Sequence, residues 1–447
     1  MPIRHLHLAI WLLLLPAAPS ATVVGLSSAE TWKINAAAAT QASKQGHFAE
    51  AEKLILANVK VAETFPPKDA RLPRTLFDLA QVYRAEGKYS EALPLYERAL
   101  QIYTTLYGPE STELADTHDG EAGLYTTLGD YGHAEPLLVR SLDLRQKLLH
   151  PDDPDIAESK NDLGELYTAT GAYDKAEPLL LTALDIRRKH GEETVETAQT
   201  LEALGALYKN TERPKQAEQS FREAVSVFGK TVGGEHPDYA NAMEDLALIC
   251  QARRDFATAD ALLNRVLEIR KAAFGPEHRD VATSLENLAV LKRDENKTAE
   301  AIDLGEQALA MLEKILGADS LELGPALNNL GALYELTPQR QKAEPFFLRA
   351  IAVDEKSLGP ESPELGTDLN NLGTLYVMTK RYDEALKTCQ RALAIRTKVF
   401  GESDPAVIET LGTYLSALRG LHRDAEANQV EDHMRAIAGK QSVTVSR

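Results

Sequence analysis

The apolar positions of this chain recur on a helical period for almost its whole length. Between Thr367 and Gly401, Leu369, Leu372, Gly373 and Tyr376 are followed by Ala385, Cys389, Ala392 and Leu393. Both sets fall within the i, i+3, i+4, i+7, i+8 spacing that gathers small and apolar side chains on one helix face. Lys380, Arg381, Tyr382 and Asp383 lie between the sets as a polar turn. The stretch predicts helix, turn, helix, with one face of each helix in need of cover. A lone pair of this size cannot cover both faces, so it requires neighbours of its own kind.

Those neighbours are present. NNLGALY, from Asn328, lies 42 residues before NNLGTLY, from Asn370. Variants of the same segment begin at Phe77, Gly120, Asn161, Glu202, Glu244 and Glu286. A small residue (Ala80, Gly123, Gly164, Gly205, Ala247, Ala289, Gly331, Gly373) returns every 41 to 43 residues, where a second helix must cross closely. The second-helix seam opens on alanine each time, at Ala92, Ala134, Ala176, Ala217, Ala259, Ala301, Ala343 and Ala385. The pattern predicts an all-α chain.

Small-x-x-Tyr followed by Ala-x-x-x-large-x-x-Ala resembles the tetratricopeptide repeat (TPR), a unit of usually about 34 residues. The 42-residue period, the NNLGxLY segment and the loop LGPESPEL resemble the kinesin light chain type of that repeat. The resemblance covers Asn35 to Ile437. It implies an α-α superhelical solenoid of about nine to ten TPR-like helix pairs, which grows without enlarging a single core. It also implies that the first helices line a concave, peptide-binding face.

Local signals agree with the period. Gly108, Gly191, Gly233, Gly275, Gly317, Gly359 and Gly401 stand where second helices should stop. Asp153-Pro154, Ser362-Pro363 and Asp404-Pro405 read as a helix N-cap followed by proline in the first turn. His236 and His278 fall at corresponding loop points and suit a capping role. Asn296-Lys297-Thr298 fits a glycosylation acceptor, but its place in an intra-repeat turn gives a sufficient reason for the asparagine.

The ends read differently. Arg4, the apolar run Leu8–Pro16 and the small residues Ala18 and Ser20 form a secretory signal peptide over residues 1–20, cut before Ala21. The apolar run is about half the length that a membrane span needs. The expectation is a periplasmic or secreted protein: a flexible lead over 21–32, a solenoid over 33–437 and a frayed tail over 438–447. A net charge of −18 argues against nucleic acid and anionic lipid as partners. Cys250 and Cys389 are the only cysteines; both occupy core slots and are expected to be buried hydrophobes.

No catalytic motif, cofactor fingerprint or metal-ligand spacing is found, so the chain reads as a non-enzyme needing no cofactor. Asp116, His118, Asp119 and Glu121 have metal-binding side chains but are spread around a helix. Candidate binding residues are those on the first-helix face that the repeat does not require: Asn161, Glu202, Lys209, Glu244, Glu286, Arg293, Asn328 and Asn370. In kinesin light chain-like arrays the matching asparagines hold a peptide backbone, and Asn161, Asn328 and Asn370 stand at that position. Glu202, Glu244 and Glu286 depart from it and favour a protein or peptide partner carrying Lys or Arg. The function expected is an exported adaptor in envelope assembly or secretion. An oligomerising solenoid, or the non-catalytic partner of a separate enzyme, is the alternative. Asp119 and Lys160 fall in slots that are apolar in other repeats, and their opposite charges suggest an ion pair between adjacent repeats.

Overall fold

A computed structural model describes residues 27–44, 47–191 and 193–444. The signal peptide expected over residues 1–20 lies outside them. The described residues form twenty α-helices and two short 3-10 turns, with no strand among them. The chain divides into two compact units, one ending at Leu166 and the other beginning at Tyr167.

The first unit contains α1 (Ser28–Lys44), α2 (Phe48–Ala62), α3 (Arg71–Ala85), α4 (Tyr89–Tyr107), α5 (Thr112–Thr127), α6 (Tyr131–Leu148) and most of α7 (Pro154–Ala169). The lead expected to run to residue 32 stops earlier, because Ser27 and Glu30 cap α1 reciprocally. The Ser27 backbone N–H donates to Glu30 Oε2 at 2.9 Å, and the Glu30 N–H to Ser27 Oγ at 3.3 Å. That Ser-x-x-Glu signal was legible in the sequence.

The second unit holds α8 (Tyr173–Lys189), α9 (Val195–Asn210), α10 (Pro214–Thr231), α11 (Pro237–Ala252), α12 (Phe256–Phe274), α13 (Arg279–Asp294) and α14 (Thr298–Leu316). It continues with α15 (Gly324–Glu335), α16 (Glu344–Leu358), α17 (Pro363–Met378), α18 (Tyr382–Phe400), α19 (Pro405–Gly420) and α20 (Asp424–Thr444). The tail expected to fray from residue 438 is helical through Thr444. Within each unit, successive helices pack in pairs and each pair packs on the next. First helices also touch first helices, α3 with α5, α15 with α17 and α17 with α19, and so form the inner layer of each stack. Among the described residues no helix is long and apolar enough to cross a membrane.

The seam alanines Ala92, Ala134, Ala176, Ala217, Ala259, Ala301, Ala343 and Ala385 are all fully buried. The small first-helix residue faces a side chain sixteen positions on. A Cβ at Gly205 would stand 2.6 Å from the Phe221 ring, one at Gly331 2.5 Å from Phe347, and one at Gly373 2.6 Å from Cys389 Sγ. Contacts that short cannot be kept, so the glycine makes room for the aromatic ring or thiol. Gly123 differs: its space is taken by Arg84 of the preceding repeat. Cys250 and Cys389 are both free and buried, and burial pushes the Cys389 thiol up to about 12.

The turns follow the sequence signals. Ser111, Ser362 and Asp404 cap α5, α17 and α19, while His236 and His278 accept from the Asp238 and Asp280 N–H groups at 3.2 Å. One turn breaks the series. The residue between paired helices sits in the left-handed region at Gly171, Glu212, Arg254, Asn296 and Lys380. The corresponding position before α16 is Pro338, whose ring forbids that conformation. There α15 ends early and a 3-10 turn, Arg340–Ala343, leads into α16. A second 3-10 turn, Leu321–Leu323, precedes α15, so this helix has irregular backbone on both sides.

Candidate functional site

The residues of the first-helix face are not equivalent, because buried arginines on the second helices draw some of them into the joints between repeats. Arg270, 5% exposed on α12, shows how. Its Nη1 donates to the Asp280 carbonyl at 3.4 Å and to Ser284 Oγ at 2.9 Å, ten and fourteen residues on, in α13. Its Nη2 reaches back to Asn241 Oδ1 at 2.8 Å, and the two nitrogens grip Glu244 at 2.7 and 2.9 Å. Asn287 Nδ2 closes the network on Glu244 at 2.8 Å. A guanidinium suits this position because its fixed fork can satisfy two helices at once.

Arg396 repeats the geometry, donating to the Ala406 carbonyl and to Thr410 Oγ1, both at 2.8 Å, and to Thr367 at 3.1 Å. Arg187 uses the Glu196 carbonyl and Thr200 in the same way, nine and thirteen residues on. In the first unit Arg145 bonds the Asp155 carbonyl at 3.0 Å, Ser159 Oγ at 2.7 Å and Asp116 at 2.8 Å. These arginines were not singled out from sequence. The signal was available: arginine recurs at one second-helix slot, with Ser or Thr thirteen or fourteen residues later.

Arg145 also corrects the expected pair. Asp119 faces Arg145 Nη1 at 2.8 Å, not Lys160. Among the described residues Lys160 makes no ion pair, and burial alone lowers its pKa. The guanidinium fills the space between α5 and α7, so Asp119 meets the cation of its own helix pair first. Burial pushes the Asp119 carboxyl up to about 7, even against the pull of Arg145. Asp162, with Asp119, Glu165 and Glu158 nearby, is pushed up to about 8, chiefly by burial. Carboxylates outnumber the cation here.

Asn161 is 5% exposed, and its Nδ2 donates to Glu165 Oε1 at 2.7 Å. Asn328 Nδ2 donates to Asp368 Oδ1 at 2.5 Å, and its Oδ1 accepts from Asn371 at 3.2 Å. Asn370, 2% exposed, accepts from Thr413 Oγ1 at 3.5 Å. The three asparagines thus bond side chains of their own or the next first helix. Glu202 is half-buried on α9, and Lys209 is exposed at that helix's end, where its charge acts on Asp245. Arg293 bonds the neighbouring Asp294 from Nε at 3.1 Å and Nη2 at 3.0 Å.

Glu286 is different. It is half-buried on α13, burial raises its pKa, and among the described residues no cation pairs with it. It borders a notch lined by Ala289, Arg293, Gly305, Asn329, Leu330 and Leu333. The notch exists because Gly305 stands where other second helices carry Tyr96, Leu180, Phe221, Leu263 or Phe347. Leu330 and Leu333 lean into the gap, reaching within 3.3 and 3.6 Å of where a Cβ would be. A space of about 20 Å³, near the volume of one water-sized sphere, remains open. One repeat on, Glu335 is pushed up to about 7 by burial, and its Oε1 has no hydrogen-bond partner. Glu335 and Asn329 were not among the expected site residues.

Stacked helix pairs on this period, with small residues under aromatic rings, define a repeat solenoid. The tetratricopeptide repeat family model matches nine overlapping windows that together run from residue 32 to 438. The chain belongs to the tetratricopeptide repeat family. A search of curated proteins returned no match. A signal-transduction ATPase with a tetratricopeptide repeat sensor, from Pyrococcus horikoshii, is 14% identical, with 78% of this chain and 53% of that one covered and a TM-score of 0.54. Kinesin light chain-like repeats from Podosopora anserina are 24% identical over 46% of this chain and 98% of theirs, with a TM-score of 0.42. BtubC from P. vanneervenii is also 24% identical, over 51% of this chain and 92% of its own, with a TM-score of 0.46. The repeat fold of this family is a scaffold suited to protein–protein interaction.

Proposed function

We propose that the chain is an exported, non-catalytic adaptor that holds an extended protein segment bearing lysine or arginine. The segment lies on the first-helix face of the second unit, across α13 and α15. The observation that carries this reading is Glu286, a half-buried carboxylate without a cationic partner among the described residues, beside the notch left by Gly305. A carboxylate that is partly desolvated and unpaired gains most from a cation supplied by a partner. Leu330 and Leu333 offer apolar surface to the stem of a long side chain, and Glu335 extends the negative charge to the next repeat. Export rests on Arg4 and the apolar run Leu8–Pro16.

The test is an arrayed library of extended peptides, matched in length and differing in Lys/Arg or Asp/Glu content, probed with the purified chain. Basic peptides should be retained preferentially. Glu286→Gln should weaken retention about tenfold, as should Gly305→Leu, which fills the notch. Equal retention of acidic and basic peptides, or full binding by both variants, would overturn the proposal.

A further inference from the structure

In the repeat of α15 and α16, whose first helix lies between the two 3-10 turns, the clip position on the second helix is not arginine but Asp354. The residue fourteen positions later, where the clips find Ser284 or Thr410, is Asp368. Both are nine-tenths or more buried, at 5% and 2% exposure. The two carboxyls meet across the α16–α17 joint as hydrogen-bonding neighbours. Asp368 Oδ1 accepts from Asn328, while its Oδ2 is buried and receives no donor. An ionised Oδ2 would be an orphaned acceptor; a protonated one can donate to Asp354.

We infer that the α16–α17 joint is closed by a single proton shared between Asp354 and Asp368, and that losing this proton loosens the solenoid at this one joint. The surrounding groups offer neither carboxyl an ion pair among the described residues. Glu364, in the first turn of α17, adds repulsion to both carboxyls. Asn328 on α15 contributes a neutral donor. Glu322 of the preceding 3-10 turn is paired with Arg279. Lys356 is paired with Asp319 and Arg391 with Glu355, while Arg396 on α18 is spent on Thr367, Ala406 and Thr410. Among the described residues neither Asp354 nor Asp368 has an ion pair.

The direction follows from linkage. Burial, with Asp354 beside it, pushes Asp368 up to about 7, above its ordinary 3.8. The closed joint thus holds a proton that the open one releases between those values. The bond is fully present below about pH 4 and is lost as pH rises through about 7. The inference concerns the joint alone and holds whether or not the first-helix face is occupied.

Amide hydrogen exchange on the full chain at pH 6 and pH 8, corrected for intrinsic rates, tests it. Protection in α17 should fall about tenfold more than in α13, whose joint is an arginine clip; tenfold corresponds to one pH unit of linkage. Asp354→Asn keeps an acceptor and supplies its own donor, so it should remove the difference. Equal pH dependence of α17 and α13, or a difference that survives in Asp354→Asn, would overturn the inference. If that variant fails to fold, carbon-13 titration of the wild-type carboxyls decides instead. One carboxyl of the pair titrating near 7 supports the shared proton, and both titrating near 4 excludes it.

Discussion

The joints at Arg270 and at Asp354 occupy the same register two repeats apart in one array, yet they are built from opposite charges. At Arg270 a buried cation meets a carbonyl, a hydroxyl, an amide and the Glu244 carboxylate, so every group drawn from water finds a partner. At Asp354 the same slot faces a second carboxyl, and the joint depends on where a proton resides. The backbone differs in step: α13 and α14 follow regular turns, whereas Pro338 and two 3-10 segments interrupt the repeat of α15 and α16. A solenoid is stabilised by nearest-neighbour interfaces, so one joint can change character without affecting the fold. The array thus has strong joints and a conditional one.

The largest expected effect breaks the strong joint. Arg270→Ala leaves Ser284 buried without that donor and the half-buried Glu244 without its cation, with Asn287 as its remaining donor, and should destabilise the second unit by about 3–5 kcal/mol, read from urea unfolding. A loss below about 1 kcal/mol would mean that water replaces the guanidinium and that the clip adds little. A smaller effect should come from converting the conditional joint into a strong one. Asp354→Arg places a cation against Asp368 and should raise stability at pH 8 by about 2 kcal/mol while flattening its dependence between pH 4 and 7. A melting temperature that still fell as steeply over that range would show that other raised carboxyls, such as Glu335, dominate the response.

The smallest effect concerns the turns that set the pairs side by side. Gly171 occupies the left-handed region without strain, whereas Lys380 holds φ +62° with a side chain attached. Lys380→Gly should stabilise by about 0.5–1 kcal/mol, the steric relief outweighing the added freedom of the unfolded chain. Thermal melts would detect it, and a loss would place the Lys380 side chain in a contact of its own.

The sequence alone determined the helices, their pairing and their period. Burial of a 3.6-residue stripe, alanine at a crowded crossing, and serine, aspartate or histidine at a helix start all act within a few residues, and the chain repeats them. It also carried the match of Gly205 with Phe221 and Gly331 with Phe347, since a constant spacing fixes which side chain lies over which. Tertiary structure decided what the polar residues do. Glu244 and Glu286 stand at identical repeat positions, but among the described residues only Glu244 pairs with a buried arginine, so one is consumed by a joint and the other is not. Asp119 likewise met Arg145 rather than Lys160. Hydrophobic burial is tolerant and sums over many contacts, so a pattern suffices to predict it. A hydrogen bond or ion pair is settled within about 1 Å by the packing of neighbouring repeats.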